Sequence, residues 1–136
     1  MANAANEQLA QRFLAATRES DREELLRLFD PDVVWVIPKG AIPPYGGTHH
    51  GAEKIADMML ASVGGTFVPG SMTHRVLLTF SDDEHVLMEL NLRARAPDGR
   101  EYDNYYVFVL KFRNGRIVEF REHVDTAYAA GFFGTA

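Results

Sequence analysis

The sequence predicts an α+β fold: a curved, mostly antiparallel sheet wrapped on three N-terminal helices, cone-shaped with a central pocket. Three observations predict it. Apolar residues recur at helical spacing in three segments of the first half. The second half is punctuated by Pro97-Asp98-Gly99 and Asn114-Gly115, tight-turn chemistry that separates three runs rich in Val, Phe, Tyr and Ile. No strand–helix–strand alternation is visible, so the sheet is not built from parallel crossovers.

Residues 5–18 read as a helix, with Leu9, Phe13 and Ala16 near one face. Ser20-Asp21-Arg22-Glu23 is a capping-box pattern that starts a second helix, whose apolar side is Leu25, Leu26, Leu28 and Phe29. Asp30-Pro31 stops it, because proline restricts the residue before it. Val33–Ile37 is a short β-branched strand that puts Trp35 on the face of Val33 and Ile37. The segment from Pro38 to Gly51 reads as a loop and carries His49 and His50. Ala52–Ser62 is a third helix, with Ile55, Met58, Met59 and Ser62 on one side and Gly64-Gly65 as its stop. A strand follows from Phe67 to Phe80, irregular around Pro69-Gly70, and Ser81-Asp82-Asp83 turns into the final three strands. The middle one is apolar on both parities, Tyr106, Phe108, Leu110 and Phe112 against Tyr105, Val107 and Val109, so both its faces are expected to be covered. The tail after Asp125 is expected to form a helical turn or an apolar strap.

A chain of 136 residues fits one domain, taken as residues 1–136, with a core of useful size. Its apolar content of 46% and charged content of 24% are ordinary for a globular protein. A net charge of −5 with scattered Lys and Arg argues against nucleic acid as a partner. No apolar run is long enough to span a bilayer. No basic start followed by an apolar core marks a signal peptide. With no Cys, thiol nucleophiles and thiolate metal sites are out, and a cytoplasmic location is expected.

The clue to function is Glu122. Alternation puts it among Val118, Phe120 and Val124, the single charge on an otherwise apolar face. A buried carboxylate is costly unless paired or protonated. It is therefore either a general acid/base whose pKa an apolar pocket raises, or a strand-end charge that reaches water or an Arg.

The string GRIVEFREHVDTA after an aromatic-rich strand, the IPPYGG loop and the GREYDNYY segment resemble the SnoaL-like proteins. These belong to the nuclear-transport-factor-two-like superfamily, with ketosteroid isomerases, limonene-epoxide hydrolases and polyketide cyclases. The resemblance covers essentially the whole chain and implies the cystatin-like α+β cone. Set against ketosteroid isomerases, the general-base Asp falls at Ile37, the oxyanion-hole Tyr at Phe13 and the acidic partner near Phe108. All three carriers of that chemistry are missing, so that mechanism is rejected. Set against limonene-epoxide hydrolases, Glu122 falls where an Asp activates water. Their Arg and Asp of the third strand fall at Glu89 and Asn91, and their Tyr and Asn of the first strand at Trp35 and Ile37. The polyketide cyclases' acid/base Asp falls near Asp125, which by itself reads as the N-cap of the tail.

Alternation alone turns Glu89 outward, since Met88, Leu90 and Leu92 form the apolar parity. The resemblance turns it inward, where it would share a proton with Glu122; that orientation is adopted. Asn104 and Tyr106 are polar handles on the face of Phe108, read either as ligand contacts or as satisfied core groups. Trp35, Phe13, Phe108, Phe120 and Val124 are expected as pocket wall. His49, His50, His74, His85 and His123 lack metal spacing. His74 reads as a core histidine and His123 as facing solvent or a partner. The expected function is a cofactor-free enzyme acting by acid/base chemistry on a small hydrophobic molecule. Glu122 and Glu89 are its catalytic pair, and Asn91, Asn104 and Tyr106 orient the substrate. The alternative is a binding or assembly module with no reaction. A homodimer joined across the sheet is expected from the resemblance and from the two-faced central strand.

Overall fold

The computed structural model describes residues 2–134. Its elements are α1 (Ala4–Arg18), α2 (Arg22–Leu28), β1 (Phe29–Ile37), β2 (Gly47–His50), α3 (Ala52–Thr66), β3 (Thr73–Ser81), β4 (His85–Arg95), β5 (Glu101–Arg113), β6 (Arg116–Val124) and α4 (Thr126–Phe133). The strands form one sheet in the order β2-β1-β6-β5-β4-β3. All neighbours are antiparallel except β1 and β6, which run parallel.

Local chemistry explains most boundaries. The Asn3 side chain caps α1 by accepting from the Asn6 N–H. The cap of α2 is Asp21 rather than Ser20: its carboxylate accepts from the Glu24 N–H at 3.1 Å. β1 starts directly after α2, and its pairing with β6 breaks between Phe29 and Val34, where Pro31 has no N–H to contribute.

Four expectations are corrected here. Helix α3 does not stop at Gly64-Gly65 but runs to Thr66, because the face made by Ala52, Ile55, Ala56 and Met59 is buried and outweighs the poor helix propensity of glycine. β3 begins at Thr73 rather than Phe67, since Val68 to Ser71 makes a turn closed by the Ser71 N–H on the Val68 carbonyl. The glycine-rich loop contains β2, which pairs with the end of β1. Finally, the helices are not three but four among the described residues, because the tail folds as α4. Asp125 caps it by accepting from the Tyr128 N–H, as the cap reading of that residue expected.

The helices cover one face of the sheet. Val86, Met88, Leu90, Leu92 and Ala94 of β4 point into that core, as do Tyr102, Phe108, Leu110 and Phe112 of β5. In β6 a bulge alters the expected parity: Phe112 pairs with Ile117 but Lys111 pairs with Glu119. Val118 is the extra residue, so fully buried Ile117 takes the inward place that simple alternation assigned to Val118. The opposite face of the sheet is open, with Phe80 67% and Tyr105 54% exposed and Leu77 and Leu78 beside them. The apolar second parity of β5 is thus uncovered in the single chain.

Candidate active site

A cavity of about 160 Å³ opens between α1, α3, α4 and the inner face of the sheet. Its wall is mainly apolar and rich in aromatic rings. Phe13 meets Phe108 and Phe120 edge-on, and those two rings meet each other at 4.9 Å. The Trp35 ring lies parallel to Phe120 at 5.9 Å. Ala41, Ile42 and Tyr45, from the loop after β1, reach the cavity from another side, as do Ala129 and Phe133 of α4.

Glu122 is the acidic side chain on this wall, the only one among the described residues. It lies on β6 between Phe120 and Val124, opposite Phe108 of β5. It is half-buried, and the space it reaches is the cavity. Burial raises its pKa to about 7, and the Trp35 indole N–H offsets part of that rise. That N–H is buried and forms no hydrogen bond of ordinary geometry among the described residues. It acts on the carboxylate as a nearby dipole and is free to donate to a ligand atom or to a slightly shifted Glu122.

Beside this acid runs a phenol pair. The Tyr102 and Tyr106 hydroxyls are 2.7 Å apart, and Asn104 Nδ2 donates to the Tyr102 oxygen at 2.9 Å. Both phenols line the cavity. Burial, then the neighbouring Tyr102 and Glu122, holds Tyr106 well above the usual phenol range. Burial also raises Tyr102. Both are neutral hydrogen-bonding groups at ordinary pH.

The expected site residues divide accordingly. Glu122, Trp35, Phe13, Tyr106, Phe108, Phe120 and Val124 meet at the cavity, as does Ile37. Asn104 stands one step behind, with its amide on Tyr102 and on the Asp125 carbonyl. Glu89 does not face the cavity. Met88 and Leu90, on either side of it, are fully buried on the inner face, so strand alternation turns Glu89 to the outer face near Leu77, Tyr105 and His123. Its inward orientation and the shared proton with Glu122 are both overturned. Asn91 has the same parity and is also withdrawn from the substrate set: its amide donates to Asp103 Oδ1 at 2.6 Å and to the Asn104 carbonyl. His123 faces outward, as expected.

Other lining residues went unmarked in the sequence. Tyr102 has the parity of Asn104 and Tyr106, a signal that was available. His74, read as a core histidine, in fact reaches the cavity wall with Thr17, Ser62 and Thr66. The pairing of β3 with β4 explains this, since His74 lies opposite inward-facing Leu92.

Comparison with known proteins accords with this geometry. A family model described as a SnoaL-like domain matches residues 10–120. Among solved structures, an NTF2-like protein of unknown function from Burkholderia pseudomallei is 29% identical, with a TM-score of 0.80 over 98% of this chain and 100% of its own. Bal32a, from a soil-derived mobile gene cassette, is 28% identical, with a TM-score of 0.77 over 95% of each chain. TerC, co-crystallised with polyporic acid, shares the fold at 23% identity, with a TM-score of 0.81 over 97% of this chain and 100% of that one. Among curated proteins none matches.

Proposed function

The chain belongs to the SnoaL-like domain family, and from that premise we propose that it is a small-molecule enzyme in which Glu122 moves protons on a mostly apolar substrate. One observation carries the reading: the acidic side chain of an aromatic cavity has a pKa of about 7. Near neutrality its two protonation states are comparably populated, so one carboxyl serves in turn as base and acid.

In the reaction this suits best, the Glu122 carboxylate removes a proton from a carbon next to a substrate carbonyl. The C–H electron pair moves into the new C=C bond, and negative charge develops on the carbonyl oxygen. Tyr106, steadied by Tyr102 and Asn104, donates a hydrogen bond to that oxygen. Where the substrate carries a C=C one carbon further on, the enolate electrons shift along it and protonated Glu122 returns its proton to the far carbon, completing an isomerisation. Where it carries a hydroxyl there instead, the electrons form a C=C bond, the C–O bond breaks and the proton goes to the departing oxygen as water. With Glu89 outside, a single carboxyl has to perform both transfers.

The test can be run before the substrate is identified. A panel of apolar ketones is incubated with the protein in heavy water, and exchange of C–H for C–D is followed by mass spectrometry. Enzyme-dependent exchange is expected, reduced about 10²- to 10⁴-fold by Glu122→Gln. Full exchange in that variant rejects the role of Glu122.

The withdrawal of Glu89 from the cavity favours a second reading, a binding module for hydrophobic molecules without turnover. It predicts saturable binding by calorimetry, with the ligand recovered unchanged by mass spectrometry. In either reading the protein acts as a homodimer joined across the open sheet face, which the exposure of Leu77, Leu78, Phe80 and Tyr105 supports.

A further inference from the structure

His74 lies on β3 and Glu122 on β6, with β4 and β5 between them, roughly 14 Å across the sheet. Both line the same cavity. In the last turn of α1, Arg18 places Nη1 2.9 Å from His74 Nδ1. A guanidinium offers only donors and keeps its charge, so in this contact Nδ1 accepts and carries no proton. The ring proton is therefore on Nε2. A second proton on the ring would be disfavoured by burial and would confront the Arg18 charge, which together lower the pKa of His74 to about 4. At neutral pH this ring is no base. It is a neutral N–H donor with its tautomer set from behind.

Nothing among the described residues accepts from that Nε2–H. Nor is it sealed in the protein, since Trp35 Nε1 is the buried side-chain polar atom left without a partner there. The residue that carries it lines the cavity. The cavity wall is mostly apolar, with the hydroxyls of Thr17, Ser62 and Thr66 as further polar groups, and a neutral donor there suits an uncharged acceptor oxygen. A carboxylate would surrender much more hydration in exchange for one hydrogen bond.

We propose that His74 is a ligand-binding residue that recognises an uncharged carbonyl oxygen, of the ketone or ester class, through the Nε2–H of a tautomer fixed by Arg18. The site lies across the sheet from Glu122, so the ligand it selects carries this oxygen at a distance from the carbon where protons move. The inference rests on the reading of the cavity as a ligand site and is independent of any chemistry at Glu122.

Nitrogen-15 NMR of the ligand-free protein at neutral pH tests the tautomer. His74, assigned by its loss in His74→Gln, is expected to carry its proton on Nε2. A proton on Nδ1 overturns the inference. Calorimetry with two matched probes, 2-acetylnaphthalene and 2-ethylnaphthalene, tests recognition, because they differ by a carbonyl in place of a methylene. The wild type is expected to bind the ketone about threefold to tenfold more tightly. His74→Leu should erase that preference. Equal binding of the two probes by the wild type, or a preference that survives in His74→Leu, overturns the inference and leaves the cavity reading standing. Failure of both probes to bind defeats the two together, and tighter binding of 2-naphthoate than of the ketone overturns the choice of an uncharged oxygen. Should His74→Leu not fold, the infrared carbonyl stretch of the bound ketone decides: a shift to lower frequency in the wild type that His74→Phe removes supports the N–H contact, and a stretch unchanged from apolar solvent, or a shift that persists in His74→Phe, overturns it.

Discussion

Glu122 links the cavity's chemistry to the protein's stability. Its folded pKa of about 7 lies above the ordinary value of 4.5. Between those values the folded protein holds a proton that the unfolded chain has released. Stability therefore falls as pH rises through this window, then levels off above it. The penalty at full ionisation is roughly 1–3 kcal/mol, allowing for the carboxyl's partial access to the cavity. Glu122→Gln is expected to be more stable than wild type by that amount at about pH 8 and little different at about pH 4, measured by urea unfolding. A difference independent of pH would show that the carboxyl titrates normally. Glu122 was legible because a charge interrupted an apolar parity. Glu89 obeys its own strand alternation and faces outward, against the inward place that likeness to relatives implies. The role of His74 was hidden because it depends on Arg18, 56 positions away in the chain, and no local pattern records that contact.

At the level of elements, periodicity located the helices and turn chemistry located the last three strands. What it missed lies where packing outweighs local preference. Gly64 and Gly65 look like a helix stop, yet both are helical and exposed, and a Cβ at either would meet nothing within 4 Å. Gly64→Ala is accordingly expected to stabilise the protein by about 0.5–1 kcal/mol, seen as a higher melting temperature. A lower melting temperature would mean that α3 ends before these residues. The bulge at Val118 shows the limit of alternation: one extra residue exchanged which neighbour faced the core, while Phe120 and Glu122 kept their places. The apolar residues of α4 lack a clear helical period, so the tail's sequence alone does not distinguish a helix from a strap. Its cap at Asp125 was the reliable signal.

For the whole molecule, the parallel pairing of β1 with β6 joins the first long strand to the last. No local motif announces such a pairing. The homodimer proposed above predicts sedimentation as a dimer at micromolar concentration, with Tyr105→Lys shifting it to monomer because a charge would be buried at the join. A wild-type monomer under those conditions would contradict it. The same parallel pairing braces β6 between two hydrogen-bonded neighbours, β1 and β5. Glu122 thus sits on an interior strand of the sheet, whereas Ala41, Ile42 and Tyr45 are contributed by a connecting segment outside the sheet. The acid and this part of the cavity wall are in that sense inherited separately. A lineage or an engineer can graft a new segment there and retarget the molecule with its acid untouched, while moving the acid would mean rebuilding the sheet.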